Sequence, residues 1–458
     1  MATLDTTSFA AALKTLWPQK RIAEIMYRNQ PFLAAVPKDN NFGGANRVVA
    51  ARYATPGSAS HTASNPFTAG GAAVGKYAKW TVTRSSDFGS ASLTGEVIKA
   101  SQGDQNALIS ALDSEMKGLM HTLSRRLGIK LFRNYGGSMG QINASYAGSG
   151  ATTITLATVA DVVNFQVGYQ LQAQTTDGTS AGTLRAATAT ITGLDRTAGT
   201  LTVSFSGGTD FAANDYLFQK GDIGLSFYGL GSWLPTTAPT SGDSFFGLDR
   251  SADTTRLAGV RYATGAGGPI EETLIDACVL VAREGGMIDL VLVNPIDWGN
   301  LVKALGSKVI RTEFKTANFG FQALEIMTGT GPVKVVADLN CPKGFAYGIQ
   351  LDTWTFASLG DAPMIFDLDG QQLLRDNGSD SYTVRAGTYG QLYCEAPGYN
   401  YSDANKSSGL TWDEATLRAY LTDPKAKVPG TKMIFRIGLP PTNCFTFSEA
   451  RAAVSTSC

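Results

Sequence analysis

The sequence predicts an α+β fold organised on one long helix, and three observations predict it. Leu108, Leu112, Met116, Leu119, Leu123, Leu127 and Leu131 recur every three or four residues, which is one face of an α-helix. Two stretches of strand composition, Arg47–Tyr53 and Lys79–Arg84, flank the breaker-rich segment Thr55–Gly75 just before it. Short alternating strands punctuated by glycine follow it at 141–225, the texture of an inserted small β-barrel or sandwich.

Composition sets the background. The chain has 458 residues, with 38 Lys plus Arg against 38 Asp plus Glu, so net charge selects neither nucleic acid nor a membrane surface. Only 17% of residues are charged and 51 are glycine, which suits a β-rich protein whose surface is covered by neighbours. Cys278, Cys341, Cys394, Cys444 and Cys458 show no paired spacing, so reduced thiols are expected. No signal-peptide core or bilayer-length apolar run is evident, and a soluble intracellular product without membrane contact is expected.

In chain order, residues 1–40 read as an N-terminal arm, with short helices over Thr7–Leu16 and Gln19–Arg28 separated by Pro18. An arm with little core of its own is expected to lean on a neighbouring subunit. Residues 41–100 read as an extended hairpin loop with a mobile tip at 55–75; an isolated hairpin is marginal in water, so it too is expected to need a partner. The long helix occupies 101–137. Asp104 is expected to cap its start and Gly136-Gly137 its end, and about thirty residues at roughly 1.5 Å each give on the order of 45 Å. Lys117, Arg125, Arg126 and Lys130 make one side of it basic, read either as a solvated face or as a surface near packaged DNA.

Within 141–225 the strand candidates are Thr152–Leu156, Ala187–Thr192 and Thr200–Phe205. Residues 226–305 return to α/β. Pro269 and Glu271-Glu272 start a helix carrying Leu274, Ile275, Cys278 and Val281, and Gly285-Gly286 stops it. Ile288–Asn294 reads as a buried strand, and Pro295 opens the next helix from the first-turn position proline favours. Residues 306–398 are mostly strands: Val333–Val336, Phe345–Ile349, Met364–Phe366 and Tyr382–Arg385.

This order, with Ile288–Trp298 and Asp380–Cys394 as its most recognisable pieces, resembles the major capsid protein of tailed bacteriophages, of the Hong Kong 97 type, over roughly residues 10–398. The resemblance implies an arm, extended hairpin, spine helix, axial α/β domain and peripheral strands. It implies a structural subunit of an icosahedral virion capsid, self-assembling into hexamers and pentamers around double-stranded DNA in the host bacterial cytoplasm. Separate scaffolding, portal and decoration proteins are the partners it suggests. The arm begins almost at Met1, so a separate scaffolding protein, or none, is expected. A cellular nanocompartment of the same fold is the near alternative.

The tail 399–458 differs. Tyr399–Phe435, about 37 residues, looks very similar to the distal half of a class I cytochrome c, in which the methionine of Pro-Gly-Thr-Lys-Met, here Met433, is an axial haem ligand. The haem-attachment pattern Cys-x-x-Cys-His is absent, and Arg436–Pro441 departs from the closing helix, so a fused fragment without cofactor is expected. With only two histidines, His-based metal sites and Ser-His-Asp triads are not expected. His61 lies in the glycine-rich loop, His121 on the polar side of the long helix, and Gly70–Gly75 lacks the helix start a phosphate cradle needs. Glu271-Glu272 and Asp413-Glu414 read as helix capping.

Overall fold

The computed structural model describes residues 30–54, 75–94, 105–148, 151–263, 268–306, 310–315, 320–329, 331–367, 374–375, 378 and 380–395. The chain divides into two units, Met1–Ala396 and Pro397–Cys458. The first two arm helices, the hairpin tip with His61, the Asp104 cap, Asp413-Glu414 and the whole tail with Met433 lie outside the described residues.

The described chain opens with a short helix, α1 (Pro31–Ala35), and strand β1 (Lys38–Asp39). These residues were expected to lean on another subunit. Instead Phe32, Leu33, Val36 and Phe42 are buried in the main core of their own chain, with Phe32 and Phe132 rings 5.3 Å apart. Four large apolar side chains within eleven residues are enough to hold such a segment down. The hairpin follows as β2 (Asn46–Ala54) and β3 (Lys76–Thr83), paired antiparallel from Asn46↔Thr83 onward. Val49, Trp80 and Val82 face the core while Val48 and Tyr77 stand exposed.

Strand β4 (Ser85–Thr94) leads to the long helix α2 (Gln105–Phe132). Met116, Met120, Leu123, Leu127, Leu131 and Phe132 are buried on it, and Leu119 is half-buried. The helix stops four residues before Gly136. Its end is packed under Gly229, where a Cβ would lie 2.4–2.5 Å from the carbonyl oxygens of Lys130, Leu131 and Arg133. Gly136 serves another need. A Cβ there would sit 2.2 Å from the Asp177 carbonyl oxygen, and one on Gly178 would sit 2.5 Å from that of Gly136. Two backbones cross where neither tolerates a side chain.

The inserted segment supplies β5 (Gly140–Gln141), β6 (Thr153–Thr155), β7 (Gln170–Gln174), β8 (Thr188–Asp195), β9 (Thr200–Ser206) and β10 (Tyr216–Gln219). They pair in the order β5-β10-β7-β8-β9-β6, all antiparallel. The two ends of that order also meet: Ile142 and Leu156 form an antiparallel bridge, Asn143 N donates to Thr155 O (2.9 Å) and Ala157 N to Gln141 O (2.8 Å). Ile142, Ile154, Phe165, Leu171, Ile191, Leu201 and Leu217 fill the interior.

After a short helix α3 (Leu230–Trp233), α4 (Ile270–Arg283), β11 (Leu290–Val293) and α5 (Pro295–Leu305) build an α/β layer with β12 (Ile310–Lys315), β13 (Gly320–Thr328), β14 (Gly331–Ala337) and β15 (Ala346–Ile349). The sheet order is β12-β13-β14-β11-β15, parallel only between β11 and β14. All four residues of β11 are buried, as its continuous apolar run predicts. Leu274, Cys278 and Leu301 pack on Val291, Val293, Leu324 and Val335, whereas Ile275 on the same helix is 39% exposed. Glu271 and Glu272 fall in the first turn of α4, and Pro295 opens α5 with the Asn294 side chain accepting from Ile296 N.

The chain closes with β16 (Trp354–Ser358), β17 (Met364–Ile365), β18 (Leu374–Arg375) and β19 (Ser381–Cys394). β19 is one strand of 14 residues. One stretch of it pairs with β4 from Ser381↔Thr94 to Gly390↔Ser85, and its last residues pair with β16, so the end of the described chain is stitched to the strand that precedes α2.

Candidate functional site: a charged junction on the long helix

The basic side of α2 is where sequence and structure differ most. Helical spacing places Arg126, Lys130 and Arg133 on one face, at i, i+4 and i+7. That face is turned inward. Arg126 grips Asp87 of β4 with two bonds, Nη2 to Oδ1 at 2.8 Å and Nε to Oδ2 at 3.2 Å. The same Nη2 lies 2.7 Å from Asp222 Oδ2 beyond β10, and Nη1 donates to Gln219 Oε1. Lys130 Nζ adds contacts of 3.2 Å to Asp87 and 3.8 Å to Asp222. One step further along, Arg133 pairs with Asp161 at 2.5 Å, and Asn134 donates to Asp177 at 2.7 Å. Arg125 donates to the Val163 carbonyl.

Each charge is shifted in a way burial and pairing explain. Burial alone would raise Asp87, but Lys130 and Arg126 outweigh it and hold its carboxyl below the ordinary value. Burial opposes the Arg126 charge as well, and Asp87 and Asp222 overcome it, so the guanidinium is raised. For Lys130 burial wins: its ammonium is lowered despite Asp87, and Arg126 beside it pushes the same way.

Neither expectation for this face, a solvated surface or a DNA-facing one, describes Arg126 or Lys130. They are internal ties joining α2, the hairpin-side strand β4 and the exit of the inserted sheet. Their partners Asp87 and Asp222 lie 39 and 96 residues from Arg126, too far for local pattern to pair them. Lys117 is exposed on the same helix, and His121 is exposed as its position on the polar side predicts. Among the described residues no group of three or more His, Cys, Asp or Glu is placed to hold a metal, and Cys278, Cys341 and Cys394 are free thiols. No helix among the described residues is long and apolar enough to cross a membrane. The junction ties α2 to β4 through Asp87 and to the exit of the inserted sheet through Asp222.

No family model matches the chain. Among solved structures, the chain is similar to one in the cyanophage A-1(L) capsid asymmetric unit, 12% identical, with 80% of this chain and 89% of that one covered at a TM-score of 0.44. It is similar to a chain of Mycobacterium phage Bobi at 10% identity, covering 86% and 93% at a TM-score of 0.38. A third likeness is to the capsid of the native GTA particle, at 12% identity, 81% and 88% coverage and a TM-score of 0.37. Two curated relatives match over a short stretch. Cytochrome c2 of Rhodomicrobium vannielii is 74% identical over 43 residues, 9% of this chain and 34% of that protein. Cytochrome c2 of Rhodoplanes tepidamans is 71% identical over 38 residues, 8% and 36%. The chain spans about a third to a half of the length of the curated relatives it matches. Both resemblances drawn from the sequence, to phage capsids and over a short segment to cytochrome c, thus have counterparts among known proteins.

Proposed function

We propose that the chain is a structural subunit of a capsid shell, of the Hong Kong 97 type, with a small closed β-barrel inserted after its spine helix. The observation that carries this reading is the order and stitching of the elements. Hairpin β2–β3, strand β4, helix α2, an α/β layer and a closing strand β19 follow one another, and β19 returns to pair with β4 over ten registered positions. The bridge between Ile142 and Leu156 supports closure of the inserted sheet into a barrel. In this reading residues 41–100 are the extended hairpin loop and peripheral strands, 101–137 the spine, 226–305 the axial domain and 306–398 the remaining axial and peripheral strands. The hairpin meets neighbouring copies in hexamers and pentamers, and the shell encloses double-stranded DNA that it contacts without sequence preference. Separate scaffolding, portal and decoration proteins are compatible partners; no enzymatic role is assigned. A nanocompartment shell is the near alternative, and nuclease-protected DNA in purified particles separates the two.

The match of 38–43 residues to cytochromes c2 favours a second reading for the tail alone, an electron-transfer remnant with Met433 as ligand. A Soret band in the purified full-length protein supports it; its absence after growth with haem supplied removes it. For the shell reading the test is electron microscopy of the full-length protein expressed alone, and rings or closed shells are the expected result.

A further inference from the structure

A second buried polar cluster lies where α1 meets α2 and the α/β layer, and the shell reading does not use it. Asp338, fully buried, follows β14. Its Oδ2 accepts from Phe32 N of α1 at 3.1 Å and its Oδ1 from Asn340 N at 3.0 Å, and the Asn340 side chain also donates to it. Beside it, Gln30 Nε2 donates to Ser124 O and Oγ of α2, both at 3.2 Å. Gln30 Oε1 is buried with no hydrogen-bond partner among the described residues. Gly128 leaves the room for this: a Cβ there would lie 2.3 Å from Gln30 Oε1 and 2.7 Å from Asn340 Nδ2. Every donor to the Asp338 carboxylate is a neutral N–H, and among the described residues no Lys or Arg forms an ion pair with it.

We propose that this cluster is a proton-operated latch: residues 30–36 dock on α2 and the Asp338 turn more tightly when Asp338 is neutral than when it is ionised. A carboxylate taken out of water with only neutral donors around it keeps part of its desolvation cost. Undocking the segment returns water to the carboxyl, so docking takes up a proton. Burial, only partly offset by the Asn340 and Phe32 donors, raises the docked carboxyl from 3.8 to about 6. Docking is therefore tightest below the ordinary carboxylate range and loosens as pH rises through about 6. The two pH limits bound the effect at on the order of a hundred-fold in the docking equilibrium.

Burial moves the Cys341, Tyr347 and Lys38 side chains, which lie around the cluster, in ways that leave that window to Asp338. Cys341, on the same turn, senses Asp338, Asp297 and Arg133, and burial raises its thiol well above the ordinary value. Tyr347, against Phe132, is raised by burial. Helix α1 itself carries no titratable side chain. Lys38 donates to Leu33 O at 2.8 Å and Val36 O at 3.4 Å; burial lowers it to about 8, so its ammonium stays charged below that pH.

The test is hydrogen–deuterium exchange of the full-length protein at about pH 5 and pH 7, corrected for intrinsic exchange. The amides of residues 32–36 are compared with those of α4. The expected result is protection of 32–36 that rises on acidification, by up to about ten-fold between these two pH values, while α4 stays level. In Asp338→Asn the pH dependence disappears. In Asn340→Ala, which removes a donor favouring the ionised form, the midpoint moves to higher pH while the protein keeps its own carboxylate. Protection of 32–36 that does not change with pH in the natural protein overturns the latch, as does an unchanged midpoint in Asn340→Ala. The same pH dependence persisting in Asp338→Asn also overturns it.

Discussion

At the residue scale, charge burial decides what the basic side chains of α2 do. Arg126 and Lys117 look alike in sequence, yet one sits between Asp87 and Asp222 and the other is exposed. Removing Arg126 leaves two carboxylates with Lys130 as their remaining cation, and breaking a buried pair from one side costs about 3–5 kcal/mol. Arg126→Met is expected to lose on the order of that amount in urea unfolding of the full-length protein, while Lys117→Met stays within about 0.5 kcal/mol. Equal effects would mean the junction is a surface feature. Asp87 adds a pH signature. Its carboxyl is held below the ordinary 3.8, so its contribution is complete above that value and is lost as pH falls below it. Asp87→Asn is expected to be less stable at neutral pH, and the gap to the natural protein is expected to narrow in acid; a gap independent of pH contradicts the assigned pairing.

At the element scale, helices and the most apolar strands were legible in sequence, and strands made by pairing were not. Helix α2 announced itself through its leucine period, and β11–α5 through a continuous apolar run followed by proline, because those signals are local. Strand β4 reads Ser-Ser-Asp-Phe-Gly-Ser-Ala-Ser-Leu-Thr, with no β-branched residue until its end; it is a strand because ten positions of β19 pair with it. The hairpin β12–β13 was also missed, although Ile310, Thr312 and Phe314 alternate and carried a usable signal. Glycine in α2 and just beyond it separates the two kinds of constraint. A Cβ on Gly118 meets nothing within 4 Å, whereas on Gly136 it lies 2.2 Å from the Asp177 carbonyl oxygen. Gly118→Ala is expected to raise stability by about 0.5–1 kcal/mol through helix propensity. Gly136→Ala is expected to lower it and to increase proteolysis of the inserted segment, because backbone must move. The opposite order in thermal melts would show that the crossing of residues 136 and 178 is not a rigid contact.

At the scale of the whole molecule, the junction around Arg126, the Asp338 cluster and the β4–β19 ladder all tie distant parts of the chain to α2 or its flanks. None was readable in the sequence, since each joins residues far apart along it; Phe32 and Asp338 are 306 residues apart. What was readable was the order of elements, and with it the proposed shell. The shell reading of the chain and the electron-transfer reading of its tail ask for different things. One needs many copies in contact, the other a haem. The most direct measurement is negative-stain electron microscopy of the full-length protein expressed alone and concentrated over a range of salt and pH. Rings of five or six subunits, or closed shells of uniform diameter, are the expected result. A monodisperse monomer under every condition would contradict it.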